Sequence, residues 1–314
     1  LGGPGSSDLI RRLWLDNHFY GTVYSLRYRP NNRFDLTFGG SANEYLGGHF
    51  GEVVWARNAG DSEVRDRYYD NDATKRDFSN YLRTNYAFSS DLNGYLDLQL
   101  RTISYDFLGV DRNGSPLDQR ASLTFFNPKV GLTYDLGNTG QAYASFGVAQ
   151  REPNRNDFVD APANSRPRPE QLYNTEIGVR RQEGDFSYGV NVYHMFYRDQ
   201  LVLTGELNDV GANVRINIPN SYRLGLEVQG GYTLNDRFTV GGNLALSRNR
   251  ARSFTELFDV VNENFTTIDQ DAVEREDVPL AFSPSVVGAL EFNYRAITTG
   301  PHLLEAGLQT KYVG

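Results

Sequence analysis

Tyr222-Arg223-Leu224-Gly225-Leu226-Glu227-Val228-Gln229-Gly230-Gly231-Tyr232-Thr233-Leu234-Asn235-Asp236-Arg237-Phe238 is among the most clearly alternating runs of the chain. Leu224, Leu226 and Val228 oppose Arg223, Glu227 and Gln229. Successive side chains of a strand point to opposite faces, so this run has an apolar wall and a polar wall. It stops at Asn235-Asp236-Arg237, a short turn with Tyr232 before it and Phe238 after it.

The same unit recurs along the chain. Short turns fall at Pro30-Asn31-Asn32, Ser89 to Asn93, Gly137-Asn138-Thr139-Gly140, Glu183-Gly184-Asp185 and Ile297 to Pro301. Their flanking aromatics are Tyr28 and Phe34; Tyr86, Phe88 and Tyr95; Tyr134 and Tyr143; Phe186 and Tyr188; Phe292 and Tyr294. Alternation is as clear in Tyr95 to Thr102, where Leu96, Leu98 and Leu100 oppose Asp97, Gln99 and Arg101. In Val286 to Arg295, Leu290, Phe292 and Tyr294 oppose Glu291, Asn293 and Arg295; in Leu303 to Tyr312, Leu304, Ala306 and Leu308 oppose Glu305, Gln309 and Lys311. Twelve strands are predicted, at roughly 19–29, 33–42, 75–89, 93–107, 121–136, 140–150, 170–183, 186–199, 215–234, 237–250, 283–296 and 302–314. Long polar connections are predicted at 43–74, 108–120, 151–169, 200–214 and 251–282, with the hairpin from Leu201 to Ile218 extending the wall.

Strand length separates the two all-β architectures that alternate in this way. Soluble sandwich strands typically run about 5–6 residues. Ten residues at about 3.3 Å rise, tilted about 40–45°, climb roughly 24 Å, which matches the apolar band of an outer-membrane barrel. Short turns at one end, long loops at the other and an aromatic ring at the short-turn end complete that description. The expected fold is therefore all-β, a transmembrane antiparallel up-and-down β-barrel.

Composition agrees once this architecture is assumed. The 314 residues carry a net charge of −8, 31 Lys and Arg against 39 Asp and Glu. An acidic balance without a basic patch excludes nucleic acid as a partner. No stretch reaches the roughly 18 apolar residues of a membrane helix, but a barrel strand shows only alternate residues to lipid. There is no cysteine, so neither a disulfide framework nor a thiolate metal site is available. Nearly all cations are arginine, the lysines being Lys75, Lys129 and Lys311. Arginine suits bidentate pairing with carboxylates in a partly desolvated lumen. The opening Leu1-Gly2-Gly3-Pro4 carries no export signal, and Gly314 falls within an alternating run, so a piece of a longer exported protein is expected.

Several segments resemble one family. They include Arg151-Glu152-Pro153-Asn154-Arg155-Asn156-Asp157-Phe158, Arg168-Pro169-Glu170-Gln171-Leu172-Tyr173-Asn174-Thr175-Glu176-Ile177-Gly178, and Asn191 to Gly205. Asn208-Asp209-Val210-Gly211, Ser221 to Glu227, His49-Phe50-Gly51-Glu52 and Asp66 to Asp72 fit as well. Together they are similar to the barrel of TonB-dependent outer-membrane receptors. The resemblance implies a barrel of about 22 strands closed by an N-terminal plug, of which roughly twelve strands are present here. It implies the outer membrane of a Gram-negative bacterium, with lipid and lipopolysaccharide around the wall. It also implies a nutrient ligand, foremost a ferric siderophore, and energy from the TonB-ExbB-ExbD complex acting through the plug. Haem, cobalamin and oligosaccharides are the competing ligands, and an oligosaccharide importer would add a surface lipoprotein lid. A passive porin, an outer-membrane enzyme and a structural or secretion barrel are the readings from other classes.

Candidate site residues follow from position and chemistry. Trp55, Tyr68 and Tyr69 lie in the predicted loop 43–74, where aromatics would stack on a ring-shaped or sugar ligand; the plainer alternative is packing of the loop on itself. Arg151, Glu152, Asn154, Arg155 and Asp157 sit where a strand becomes a loop. They would clamp a plug loop or an anionic ligand bidentately, or simply stabilise a turn through Asn and Pro. Asp66, Asp70 and Asp72 have oxygen-ligand spacing, but the Gly and distal Glu of a Ca²⁺ loop are missing, so no metal is expected. The polar wall, with Arg27, Arg29, Arg33, Asp35, Arg83, Arg101, Lys129, Asp135, Glu227, Glu291, Arg295 and Glu305, would pair within itself and hold a plug. His18, His49, His194 and His302 are scattered, and nucleophile, phosphate-loop and dinucleotide signatures are absent, so no enzyme and no cofactor are expected.

Overall fold

The computed structural model describes residues 8–110, 114, 117–159, 166–207, 213–263, 267–297 and 302–314. The strands are β1 (Leu9–Asn31), β2 (Phe34–Ala56), β3 (Arg67–Ala87), β4 (Leu92–Gly109), β5 (Gln119–Asp135), β6 (Gly140–Arg151) and β7 (Glu170–Glu183). They continue with β8 (Phe186–Leu207), β9 (Asn213–Asn235), β10 (Phe238–Val261), β11 (Thr267–Pro279), β12 (Val286–Ile297) and β13 (Leu304–Val313). A single-turn helix, α1 (Arg155–Val159), interrupts the connection from β6 to β7. The strands form one up-and-down antiparallel sheet in the order β1 to β10, then β12 and β13, with β11 paired to β10 alone.

The all-β, up-and-down reading therefore stands, with two corrections. Among the described residues there are thirteen strands rather than the twelve expected, because β11 adds to the part of β10 from Arg250↔Pro279 to Val261↔Thr267. The segments 43–74, 200–214 and 251–282 are mostly strand rather than loop: β2 and β3 run 23 and 21 residues, β8, β9 and β10 run 22, 23 and 24. The hairpin from Leu201 to Ile218 extends the wall as expected, with Leu201↔Asn217 and Leu203↔Arg215 in register. Asn208 to Gly211 and the turn residues 298–301 lie outside the described residues.

Side-chain oxygens build the short turns. Asn31 Oδ1 accepts from the amides of Arg33 and Phe34 at 2.9 and 3.0 Å, and Asn235 Oδ1 accepts from Arg237 at 2.9 Å. Ser89 Oγ does the same for Asp91 and Leu92. Gly137 and Gly184 supply positive φ (77° and 58°) at two further turns. Aromatics gather at these ends: Phe34 meets Tyr86, Tyr86 meets Phe88, Phe186 meets Tyr232, and Phe238 meets Phe292, at 5.0–6.5 Å between centroids.

The described residues fall into two compact units. One comprises the described part of residues 1–28 with Leu36–Arg83 and Leu98–Phe126; the other comprises Arg29–Asp35, Thr84–Asp97 and Asn127–Gly314. In the first unit Ile103 and Phe125 are the largest fully buried side chains, with Tyr69, Tyr105 and Phe107 also buried. In the second, register divides the faces. Val179, Val190, Val228 and Leu244 form one cross-strand row over β7 to β10, and Ile177, Val192, Leu226 and Leu246 form the next. Most of these aliphatic side chains stand exposed, Ile177 by 61%. A contiguous apolar face of this kind is stable only when hydrocarbon covers it.

Candidate functional site

On the opposite face of the second unit, Tyr143, Gly178, Asn191 and Glu227 share one row across β6 to β9. Gly178 has no side chain, so the Tyr143 ring lies across it and its hydroxyl donates to Asn191 Oδ1 at 3.1 Å. Asn191 Nδ2 then donates to Glu227 Oε2 at 3.2 Å, and the Arg180 guanidinium sits 5.3 Å from the Tyr143 ring centre. The device repeats: Tyr95 lies over Gly131 and Tyr193 over Gly225, each Tyr on the strand preceding its Gly. Nearer the short turns, Gly231 pairs with Gly241 and floors a concavity of 640 Å³ rimmed by Arg180, Gln182, Ser187, Glu291 and Gln309.

The polar wall pairs within itself, as charges leaving bulk water must. Arg101 holds Asp77 through Nε and Nη2 at 2.5–3.1 Å in the first unit. Arg29 faces Asp35 at 3.4 Å and Arg295 faces Glu305 at 2.8 Å in the second. Among the described residues no group of three or more His, Asp or Glu is placed to hold a metal ion. Asp66 is spent on the Glu63 amide at 2.7 Å and Asp70 on Arg67 at 2.6 Å.

The predicted site residues divide between the two units. In the first unit Trp55 lies near the end of β2 and is 49% exposed. Tyr68 and Tyr69 open β3 rather than riding a loop. Their rings meet edge to face at 5.1 Å, and Tyr69 is 4% exposed. Both rings cover Gly51, where a Cβ would come within 2.4 Å of Tyr69 and 2.5 Å of Tyr68. The Arg11 guanidinium caps Tyr68 at 5.5 Å.

In the second unit the set from Arg151 to Asp157 is brought together and internally bonded. Arg151 ends β6 opposite Glu170, with Nε 3.3 Å from Oε1, and Glu170 Oε2 also accepts the Leu201 amide at 3.2 Å. Asn154 caps α1: its Oδ1 accepts the Asp157 amide at 3.0 Å, and Asp157 Oδ2 accepts the Asn154 amide at 2.8 Å. Asp157 is 6% exposed, and Arg215 Nη1 stands 3.3 Å from its Oδ1. Pro153 and Phe158 are buried beneath the segment, while Glu152 and Arg155 are half-buried. Sequence reasoning missed Glu170, Arg215 and Asn217, which clamps Arg168 through both its amide and its carbonyl. Their partners are 49 or more residues distant, or across a strand pair, so only the register reveals them.

Residues 2–314 match the family model described as TonB dependent receptor-like, beta-barrel. A search of curated protein sequences finds no match. Among solved structures, the chain is similar to the ferric-catecholate import receptor Fiu of E. coli K12 in its closed form, at 16% identity and TM-score 0.63, covering 96% of this chain and 44% of that one. It is similar to the siderophore receptor PiuA of Acinetobacter baumannii at 12% identity and TM-score 0.66, covering 96% and 46%. It is similar to the copper transporter OprC at 14% identity and TM-score 0.65, covering 91% and 49%. The chain thus spans less than half the length of these structures, and at such identities the likeness is one of fold. Members of the matched family are receptors and transporters. The chain belongs to the TonB-dependent receptor-like β-barrel family and resides in the Gram-negative outer membrane.

Proposed function

We propose that this chain is part of the wall of a TonB-coupled importer that captures a ferric siderophore at its outer end. On this reading residues 1–314 belong to a single barrel domain of about 22 strands. The plug, the TonB contact and the closing strands belong to the rest of the polypeptide, and the protein is no enzyme. The observation that carries the proposal is the polar face of β5 to β13. It is hydrogen-bonded within itself through Tyr143, Asn191 and Glu227, and it is hollowed to 640 Å³ over Gly231 and Gly241. A wall of this kind accepts an internal domain through polar contacts without exposing apolar surface to the lumen. The siderophore assignment draws on two of the similar structures, a ferric-catecholate receptor and a siderophore receptor.

In the first unit Trp55 and Tyr68 supply ring contacts for ligand or plug and Tyr69 holds that segment in shape; in the second, Arg151 and Arg155 supply guanidinium contacts and Glu152, Asn154 and Asp157 hold theirs. Exposed or half-exposed rings suit the aromatic part of an iron chelate, and guanidinium groups suit an anionic one. Whole-cell binding by the full-length receptor tests this with a panel of labelled ferric siderophores, haem, cobalamin, oligosaccharides and copper. Saturable binding of a ferric siderophore, weakened by Trp55→Ala or Arg155→Ala, is expected. Saturable binding of another panel member instead, with none for any ferric siderophore, overturns the substrate assignment.

A further inference from the structure

Register has to be set in each strand pair of this wall. A slip of one residue exchanges the two faces of a strand, whereas a slip of two preserves them. Alternation of apolar and polar residues therefore rejects the first kind of slip and is blind to the second. In five pairs the short turn decides: Asn31 between β1 and β2, Ser89 between β3 and β4, Gly137 between β5 and β6, Gly184 between β7 and β8, and Asn235 between β9 and β10. The pairs β2/β3, β4/β5, β6/β7 and β8/β9 are joined at the opposite end, through residues 57–66, 110–118, 152–169 and 208–212. In β8/β9, the pair with the shortest of these connections, the register shifts between Leu203 and Leu207, so that end does not dictate the pairing below it.

Each of these four pairs carries a tyrosine ring laid over a glycine of the facing strand. Tyr81 covers Gly39 in the first unit; Tyr95 covers Gly131, Tyr143 covers Gly178 and Tyr193 covers Gly225 in the second. Tyr143↔Gly178 and Tyr193↔Gly225 are direct cross-strand partners on the polar face. A Cβ on any of the four glycines would fall within 3.0 Å of the facing ring, so a side chain fits there only if the ring moves. The residues two steps from each glycine are Thr37 and Ser41, Lys129 and Thr133, Glu176 and Arg180, and Arg223 and Glu227. A slip of two would drive the ring onto one of these side chains. The joints thus reject the slip that alternation tolerates.

We infer that the four Tyr-over-Gly joints are register keys for the strand pairs that no short turn closes, and that they act during assembly of the wall. Turn chemistry and ring-over-glycine joints divide the work: the first sets the pairs closed at one end, the second sets the pairs closed at the other. The inference rests on the strand pairing alone and is independent of what the receptor imports.

The test follows refolding of the full-length receptor from urea into vesicles with a mild thiol oxidant present, using introduced cysteine pairs in a background without other cysteines. Val192→Cys/Leu226→Cys reports the native register, in which the two positions are direct partners. Val192→Cys/Leu224→Cys and Val192→Cys/Val228→Cys report slips of two in either direction. Direct partners lie within disulfide reach and diagonal neighbours do not. Tyr193→Ala is expected to slow folding about tenfold and to raise a slipped cross-link severalfold. Tyr193→Phe, which keeps the ring, and Tyr197→Ala, on the same strand but opposite Ser221, are expected to match wild type. If Tyr193→Ala does not fold, the cross-links of the vesicle-bound chains still decide, and a raised slipped product supports the inference. Two results overturn it: no rise of a slipped cross-link in Tyr193→Ala, or the same rise in Tyr193→Phe or Tyr197→Ala.

Discussion

Gly178→Ala is the substitution whose cost can be worked out most fully. A Cβ at Gly178 would stand 2.4 Å from Tyr143 Oη and 2.5 Å from Cζ, so about an ångström of movement is required, and the ring must supply it. Swinging away breaks the hydrogen bond to Asn191, worth about 1 kcal/mol net. It also weakens the Arg180 contact, about 0.5 kcal/mol at an exposed site. Residual crowding adds about 1 kcal/mol, and the lower chain entropy of alanine returns about 0.5 kcal/mol. The sum is a loss of about 2 kcal/mol. In a Tyr143→Ala background nothing stands in the way, and Gly178→Ala should be neutral or stabilise by about 0.5 kcal/mol. The coupling between the two positions is therefore about 2.5 kcal/mol, read from a double-mutant cycle of denaturant unfolding in vesicles of constant composition. An equal cost of Gly178→Ala in both backgrounds would refute the argument that the ring occupies the space of the missing side chain.

Further predictions concern faces, caps and pairs. Val192→Arg on the aliphatic row should cost about 2–4 kcal/mol in vesicles, whereas Gln229→Arg on the polar face should cost about 1 kcal/mol or less; similar costs would sink the assignment of faces. Asn154→Ala removes the cap of α1 and should cost about 1 kcal/mol, visible as faster proteolysis within residues 152–159, with Asn154→Asp close to wild type. Arg215→Met leaves the Asp157 carboxylate buried without its cation; because Arg215 is 38% exposed the expected loss is about 1–3 kcal/mol, checked by denaturant unfolding, and no loss would mean that the Asn154 amide alone compensates that charge.

What the sequence displays and what it hides follow from where each strand meets hydrocarbon. Alternation is sharp in Leu224-Gly225-Leu226-Glu227-Val228 because one face meets lipid and the other the lumen. It fades in residues 251–261, where Arg252 and Ser253 fall in β10 beyond the apolar rows. There the backbone ladder continues, but no apolar solvent selects side chains, so strand looks like loop. The short turns were legible because their chemistry is local: Asn31, Ser89 and Asn235 bond amides two or three residues away. The candidate site was legible only in outline. The segment from Arg151 to Asp157 could be singled out, but its ties to Glu170 and Arg215 need strand pairings that no local pattern carries. Tyr68 and Tyr69 could be read as loop aromatics, yet their packing over Gly51 depends on the partner strand. The Tyr143 and Gly178 pair requires the register of β6 against β7.

Uptake by whole cells tests the proposed energy-coupled import through this wall. Cells carrying the full-length receptor would be given labelled ferric siderophore, with an intact or deleted TonB. Saturable uptake that disappears with TonB while surface binding remains is the expected result. Size-limited, non-saturable passage that ignores TonB would contradict it and leave a passive pore.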